Sequence, residues 1–426
     1  MKSRTLTCAV ALILLAAVPT ALASTTWYVN GVTGRDSNTC KSPTTACKTI
    51  GHAVSIAVSG DTIIVAAATY QENLTIGKSL KVIGSGASTT IIDGGRFKRV
   101  FTISTGVTVT LMRVTIQNGS TQQSGGGIYN SGVLTISTST ISGNTAFLGS
   151  CSHSCVSSGG GIYNTGVLTI STSTISGNTA GDGAFIVKPC GYGCSRSGGG
   201  IYNLGVLTII NSTIAGNAAI AICASARCDA FGGGIANGTN ATLTINNSTL
   251  SGNVAEARCK FVPPLLSCPA GGGGIDTGGT LIINNSTLSG NAAYPTGDVS
   301  RDVGGEIFGG PATLQNSIVA NSTSGGNCNG SITSKGYNLS SDGSCSFKGP
   351  GDMNNINPVL GKLGNYGGPT QTIPLLSGSP AIDAGNPSGC TDGHGHLLKT
   401  DQRGMPRPDP EDTGGCDMGA YERQGD

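Results

Sequence analysis

Between Gly125 and Gly330 the chain carries seven carboxylates: Asp182, Asp229, Glu256, Asp276, Asp298, Asp302 and Glu306. Two carboxylates at a fixed separation can do acid–base work on a glycosidic bond, and several gathered oxygens can hold Ca²⁺. Five of the seven lie in segments of irregular length, and none of those recurs at an equivalent place. Asp276 and Glu306 do occupy neighbouring units. They could hold a cation together, although a solvated pair is the favoured reading. The cluster Asp401, Arg403, Arg407, Asp409, Glu411 and Asp412 reads as a salt-bridged, solvated surface, with a Ca²⁺ site as the alternative. No catalytic residue and no cofactor emerges, and Ca²⁺ is the one ion to consider. The Gly-Gly-Gly runs open strands and lack a following Lys-Ser or Lys-Thr, so they are not phosphate loops.

Two further sets of side chains are suggestive. Removing Cys8 of the leader leaves fourteen cysteines in neighbouring couples: Cys40/Cys47, Cys151/Cys155, Cys190/Cys194, Cys223/Cys228, Cys259/Cys268, Cys328/Cys345 and Cys390/Cys416. The spacings vary and only four His are present, which favours local disulfides over zinc. Tyr129, Tyr163 and Tyr202 each follow an inward Ile, so they should point outward and stack. A structural aromatic ladder is the favoured role, and contact with a glycan is the alternative.

What positions these groups is a repeat. Gly125–Ala146 reads GGGIYNSGVLTISTSTISGNTA; Gly159–Ala180 and Gly198–Ala219 repeat it closely over the same 22 residues. Weaker copies start at Gly232, Gly272 and Gly304. Each unit holds three short strands, Ile128–Asn130, Val133–Ile136 and Ser139–Ser142. Alternation turns Ile128, Leu134, Ile136 and Ile141 inward. Three strands and three corners in 22 residues make one coil of a parallel β-helix. Stacking then aligns Asn144, Asn178, Asn217, Asn253, Asn291 and Asn321 as a buried amide ladder. Asn-Ser-Thr triplets at 211–213 and 247–249 fall on strands and read as ladder residues.

Composition agrees. Sixty-nine Gly, 11% charged and 4% aromatic residues exclude long helices and coiled coils. The first 23 residues read as a secretory signal: Lys2 and Arg4, an apolar run from Leu6 to Val18, then Ala21-Leu22-Ala23. Cleavage before Ser24 leaves equal numbers of basic and acidic residues, which argues against nucleic acid as a partner. No later run is apolar enough to span a membrane. The expected organisation is a signal over 1–23, an N-terminal cap over 24–61, a β-helix over 62–355 with regular repeats over 125–321, and a C-terminal cap or module over 356–426. Ile50, Ala53, Val54, Ala57 and Val58 are spaced for a short capping helix.

The repeats resemble the right-handed, single-stranded parallel β-helix of the pectin-lyase-like superfamily. Gly126-Gly127-Ile128 with Ile141-Ser142-Gly143-Asn144 is similar to the G-G-[AG]-I and F-x-x-N elements of polymorphic outer-membrane proteins. The stretch from Asn357, with Asp401-Gln402-Arg403-Gly404 and Cys416-Asp417-Met418-Gly419-Ala420-Tyr421-Glu422, resembles the choice-of-anchor Q domain of bacterial surface proteins. These resemblances imply an all-β, exported cell-surface or extracellular protein with adhesive or structural work, and surface glycans or envelope components as partners. A secreted polysaccharide lyase or hydrolase, or a glycan-binding β-helix, is the alternative. Gly393-His394-Gly395 is similar to the G-H-G element of polygalacturonases, but their N-T-D, D-D and R-I-K elements have no counterpart here.

Overall fold

A computed structural model describes residues 24–122, 124–147, 155–181, 194–223, 227–259, 268–296, 303–393, 395–410 and 415–425. The signal segment, Cys151, Cys190, Asp182, Asp298, Asp302, His394, Glu411 and Asp412 lie outside the described residues, as does the side chain of Cys155.

The repeat folds as its alternation dictates. Strands Ile128–Asn130, Val133–Ser137 and Thr140–Ser142 pair in parallel with the equivalent strands of the coils on either side. Ile128 sits in register with Ile162, Ile201, Ile235, Ile275 and Ile307 along one column. Ile128, Leu134, Ile136 and Ile141 have no exposed surface, and neither do their counterparts in the next coil. The molecule is therefore a parallel β-helix around one continuous aliphatic core.

Its corners are held by three hydrogen-bonded ladders. At the first corner the Asn130 amide donates to Asn164 (2.7 Å), Asn164 to Asn203 (2.8 Å) and Asn203 to Asn237 (2.8 Å), and Thr277 ends the series. The second corner turns on one left-handed residue, Thr138 (φ 48°), Thr172 (49°), Asn211 (49°), Asn247 (52°), Asn285 (46°) or Asn316 (49°). A Ser follows it, and its hydroxyl accepts the backbone N–H of the Ser one coil earlier, from Ser139 through Ser317. The Asn-Ser-Thr triplets thus begin at a corner and not on a strand. A β-branched residue with positive φ is strained, so Thr172→Asn should raise stability by about 1 kcal/mol, measurable as a higher melting temperature.

At the third corner each Asn side-chain oxygen accepts both the backbone and amide N–H of the preceding rung, from Asn144 through Asn291. Asn321 does not extend this ladder. It is exposed, with φ 58°, and donates to Ser289. Glu306 takes the place instead: its carboxylate accepts the Asn291 backbone N–H at 2.9 Å and the Asn291 amide. Glu306 replaces the third glycine of the unit, one residue before the inward Ile, so its side chain reaches this corner first.

The segments between repeats continue the stacking instead of looping out individually. After the third corner, strands such as Ala218–Cys223 and Val254–Cys259 run outward, and Cys194–Ser197 and Cys228–Phe231 return. Outgoing strands pair with outgoing ones and returning with returning, forming a fin whose interior is mostly Ala and Cys but also encloses the Arg196 side chain. Small side chains let its two sheets approach closely. Disulfides Cys223–Cys228 and Cys259–Cys268 staple the fin, and Cys40–Cys47, Cys328–Cys345 and Cys390–Cys416 lie elsewhere. Cys194 is buried in the fin beside Cys223 and Cys228.

The helix Ile50–Ile56 covers the first coil with Ile50, Ala53 and Val54. Seven residues are too few to be stable alone, and both ends are tied. The Glu72 carboxylate accepts the N–H groups of Ile50 (2.8 Å) and Gly51 (2.7 Å), and Lys78 donates to the carbonyls of Val54, Ser55 and Ala57. Val58 lies beyond the helix and is exposed. At the far end Phe347 and the Cys328–Cys345 disulfide close the core.

The C-terminal segment is not the plug of that end. It folds over the third-strand flank as a strap that crosses it more than once. Asn316 bonds the strap at Asn386 and Gly419, Asn285 at Thr391, Asn247 at Thr400 and Arg407, and Asn211 at Thr370. Thr213, Thr249 and Thr287, two residues after the corner Asn, bond Gln371, Gln402 and Ala420.

Candidate functional site

The outward column of the first strands is the most chemically varied surface of the coil. In register it reads Thr102, Tyr129, Tyr163, Tyr202, Ala236, Asp276 and Phe308. Parallel pairing without offset forces the three tyrosine rings into a stack. Their centroids lie 5.2 and 5.3 Å apart, tilted by 13° and 14°. Arg99 closes one end, its guanidinium 4.9 Å from the Tyr129 centroid while it donates to the Gly125 and Ser124 carbonyls. The rings face one another, so the stack offers solvent its ring edges and hydroxyls rather than flat platforms. Arg99 covers the far face of Tyr129, whereas the far face of Tyr202 has neither a ring nor a guanidinium against it among the described residues.

Beyond Tyr202 the column changes character. Ala236 is small and buried. Phe308 stacks on Phe231 of the fin at 5.8 Å and 17°. A Cβ on Gly271 would come within 2.7 Å of the Phe308 ring, so that glycine makes room for it. Asp276 sits in this setting between Ala236 and Phe308 and makes no hydrogen bond among the described residues. Burial pushes its carboxyl up to about 7. Tyr202 is also raised, by burial first and then by the Asp276 charge. Near neutrality Asp276 can therefore give or take a proton, and it is paired with nothing that fixes its state.

Among the described residues, the other candidate carboxylates are structurally committed. Glu306 points into the corner while Asp276 points outward, because the register pairs Ile307 with Ile275 and so Phe308 with Asp276. The two neither form a solvated pair nor converge on a cation. Burial raises Glu306 to about 8. In the fin, Asp229 and Glu256 pair with Arg227 and Arg258 near the surface, contacts worth about 1 kcal/mol or less. The described members of the C-terminal charge cluster, Asp401, Arg403, Arg407 and Asp409, are buried and not solvated. Arg403 bonds Asp401 at 2.7 Å, and Arg407 bonds Glu422 at 2.6 Å with both side chains fully enclosed. The Asp401 oxygens also accept the N–H groups of Arg403, Met405 and Glu422, which leaves that carboxylate satisfied without Ca²⁺.

Sequence reasoning passed over the Asn130 ladder, although the recurring Ile-Tyr-Asn element signalled it. It also overlooked Gln402, which links Thr213, Thr249 and Thr370.

No known family model matches the sequence, and no curated protein does. Among solved structures the chain is similar to pectate lyase Pel9A, at 15% identity over 94% of this chain and 97% of that one, with a TM-score of 0.44. It is similar to a rhamnogalacturonan lyase at 13% identity, over 69% of this chain and 82% of the other, with a TM-score of 0.35. It is also similar to the pectin methylesterase PemA from Erwinia chrysanthemi at 12% identity, over 76% and 80% of the two chains, with a TM-score of 0.27. The fold itself stands on the register of this chain's own strands.

Proposed function

We propose that the chain is an exported cell-surface or extracellular β-helix that serves as an adhesive or structural scaffold and contacts glycans along its first-strand face. The observation that carries this reading is the column from Arg99 through the tyrosine stack to Asp276, which sets hydroxyls, a cation and a neutralisable carboxyl in one line. The five disulfides among the described residues suit an oxidising compartment. Binding to immobilised polysaccharides should fall at least tenfold in Tyr202→Ala, which removes the stack's unpartnered ring face. Unchanged binding in Tyr202→Ala and Tyr163→Ala together would refute glycan contact. The second reading, a secreted polysaccharide lyase or hydrolase, draws on Asp276 alone as an acid–base group. Release of unsaturated products or reducing ends by the wild type, abolished in Asp276→Asn, would favour it over the scaffold.

A further inference from the structure

The outward face of the second strands is independent of the tyrosine column and differs from it in kind. Thr110, Thr135, Thr169, Thr208 and Thr244 stand in one file, each in register with the next. Beside them Val133, Val167 and Val206 form a parallel file that is 41%, 42% and 44% exposed, unusual for aliphatic side chains in a core-building strand. On the other side the file is mixed but uncharged, reading Met112, Ser137, Ser171, Ile210 and Asn246. No charged or aromatic side chain stands on this face in the five coils from Thr108 to Asn246. Lys81, one coil before Thr110, marks its border.

Two spacings define the surface. Coils repeat at about 4.8 Å, and alternate residues of one strand are roughly 6.7 Å apart. Methyl and hydroxyl groups therefore lie on a rectangular grid set by these two spacings. Val and Thr have restricted χ1 rotamers, so the grid is ordered before anything binds and little side-chain entropy is lost on contact. A partner must be neutral and periodic. Counterion-releasing polymers and anionic membranes are poor matches for a face without cations. Sugar polymers are best gripped by open aromatic faces, which this surface lacks. Crystalline water fits: its oxygen spacings in hexagonal ice lie close to both repeats, methyl groups order the adjoining water, and threonine hydroxyls can join the lattice.

We propose that the Val/Thr face of the second strands binds ice. The test is partition of the mature protein into a slowly grown ice hemisphere, with thermal hysteresis and recrystallisation inhibition read in parallel. The wild type should concentrate in ice and halt crystal growth. Thr169→Lys and, separately, Thr135→Lys should lower the activity at least tenfold while the melting temperature stays near that of the wild type. Tyr163→Ala, in the neighbouring column, should leave it unchanged. Two variants in different coils guard against a local folding defect. Exclusion of the wild type from ice, or full activity in both folded lysine variants, overturns the proposal. So does capture by crystalline cellulose or chitin that Thr169→Lys abolishes in a protein inert toward ice.

Discussion

Replacing Arg407 by Met should loosen the C-terminal strap from the flank of the β-helix. Arg407 is enclosed and donates to Glu422, to the Gly419 carbonyl at 2.9 Å and to Asn247 at 3.0 Å, so one guanidinium joins two parts of the strap to a corner of the coil. Removing it strands the Glu422 carboxylate in a site that already holds Asp417, whose carboxyl burial and the Glu422 charge push up to about 7. Breaking a buried pair from one side costs about 3–5 kcal/mol. Limited proteolysis should then cut within 356–426 while the coil persists. The double variant Arg407→Met with Glu422→Leu should recover much of the loss, because removing both partners leaves no uncompensated charge. A single variant as protease-resistant as the wild type would show that the strap is held by other contacts.

The second large effect concerns pH. Glu306 is fully enclosed and is raised from 4.5 to about 8, mainly by burial. The unfolded chain releases this proton near its ordinary value, whereas the folded chain keeps it. The stabilising contribution is therefore complete below about pH 4.5 and is lost as pH rises through about 8. Asp276 and Asp417, both raised to about 7, act in the same direction. At about 1.4 kcal/mol per unit, Glu306 alone accounts for a decline on the order of a few kcal/mol. Burial is the largest single influence on Asp36, Asp61, Asp93 and Asp342 and raises them, but several hydrogen bonds together outweigh it and hold them below the usual value, so their contribution disappears on acidification. Stability should peak in mildly acidic solution. Glu306→Gln keeps an oxygen that can accept both Asn291 donors, as each Asn of the ladder does, and cannot ionise. Its melting temperature should exceed that of the wild type above pH 7, with a flatter profile. A parallel decline in both proteins would place the titration elsewhere.

Much of the coil was legible because its physics is local and periodic. Ile128, Leu134, Ile136 and Ile141 follow the two-residue alternation of strands, and identical units must stack in register to bury them. The amide ladder was legible as far as Asn291 for the same reason. It failed at Asn321 because spacing counts residues but does not reveal that Glu306, earlier in the chain, arrives at the same corner. Asp276 and Glu306 look like neighbours in sequence terms, yet Asp276 follows its inward Ile and points outward from the strand, whereas Glu306 precedes its inward Ile and turns into the Asn corner. The fin was hidden because its strands are Ala- and Cys-rich and differ in length, so no period announces them. The strap was hidden for another reason. Its contacts join residues from 70 to 189 positions apart, Asn316 to Asn386 and Thr213 to Gln402, and depend on the shape of an already folded flank.

The candidate site divides along the same line. The outward direction of Tyr129, Tyr163 and Tyr202 follows from alternation, but the face-to-face stack that hides their planes depends on zero offset between coils. The seat of Asp276 depends on Phe231 and Phe308, which come from different sheets and approach only after the fin has formed.

The change from Thr138 and Thr172 to Asn at the second corner has a consequence for how such a chain can evolve. From Asn211 onward each corner supplies an amide or carbonyl to one particular point of the strap, at the pitch of the coils. Although it crosses the flank more than once, the strap thereby acts as a ruler. Duplicating or deleting a unit before Asn211 would lengthen or shorten the molecule freely, whereas the same event between Asn211 and Asn316 would throw every later tick out of alignment. Growth by recombination is thus confined to one half of the rod.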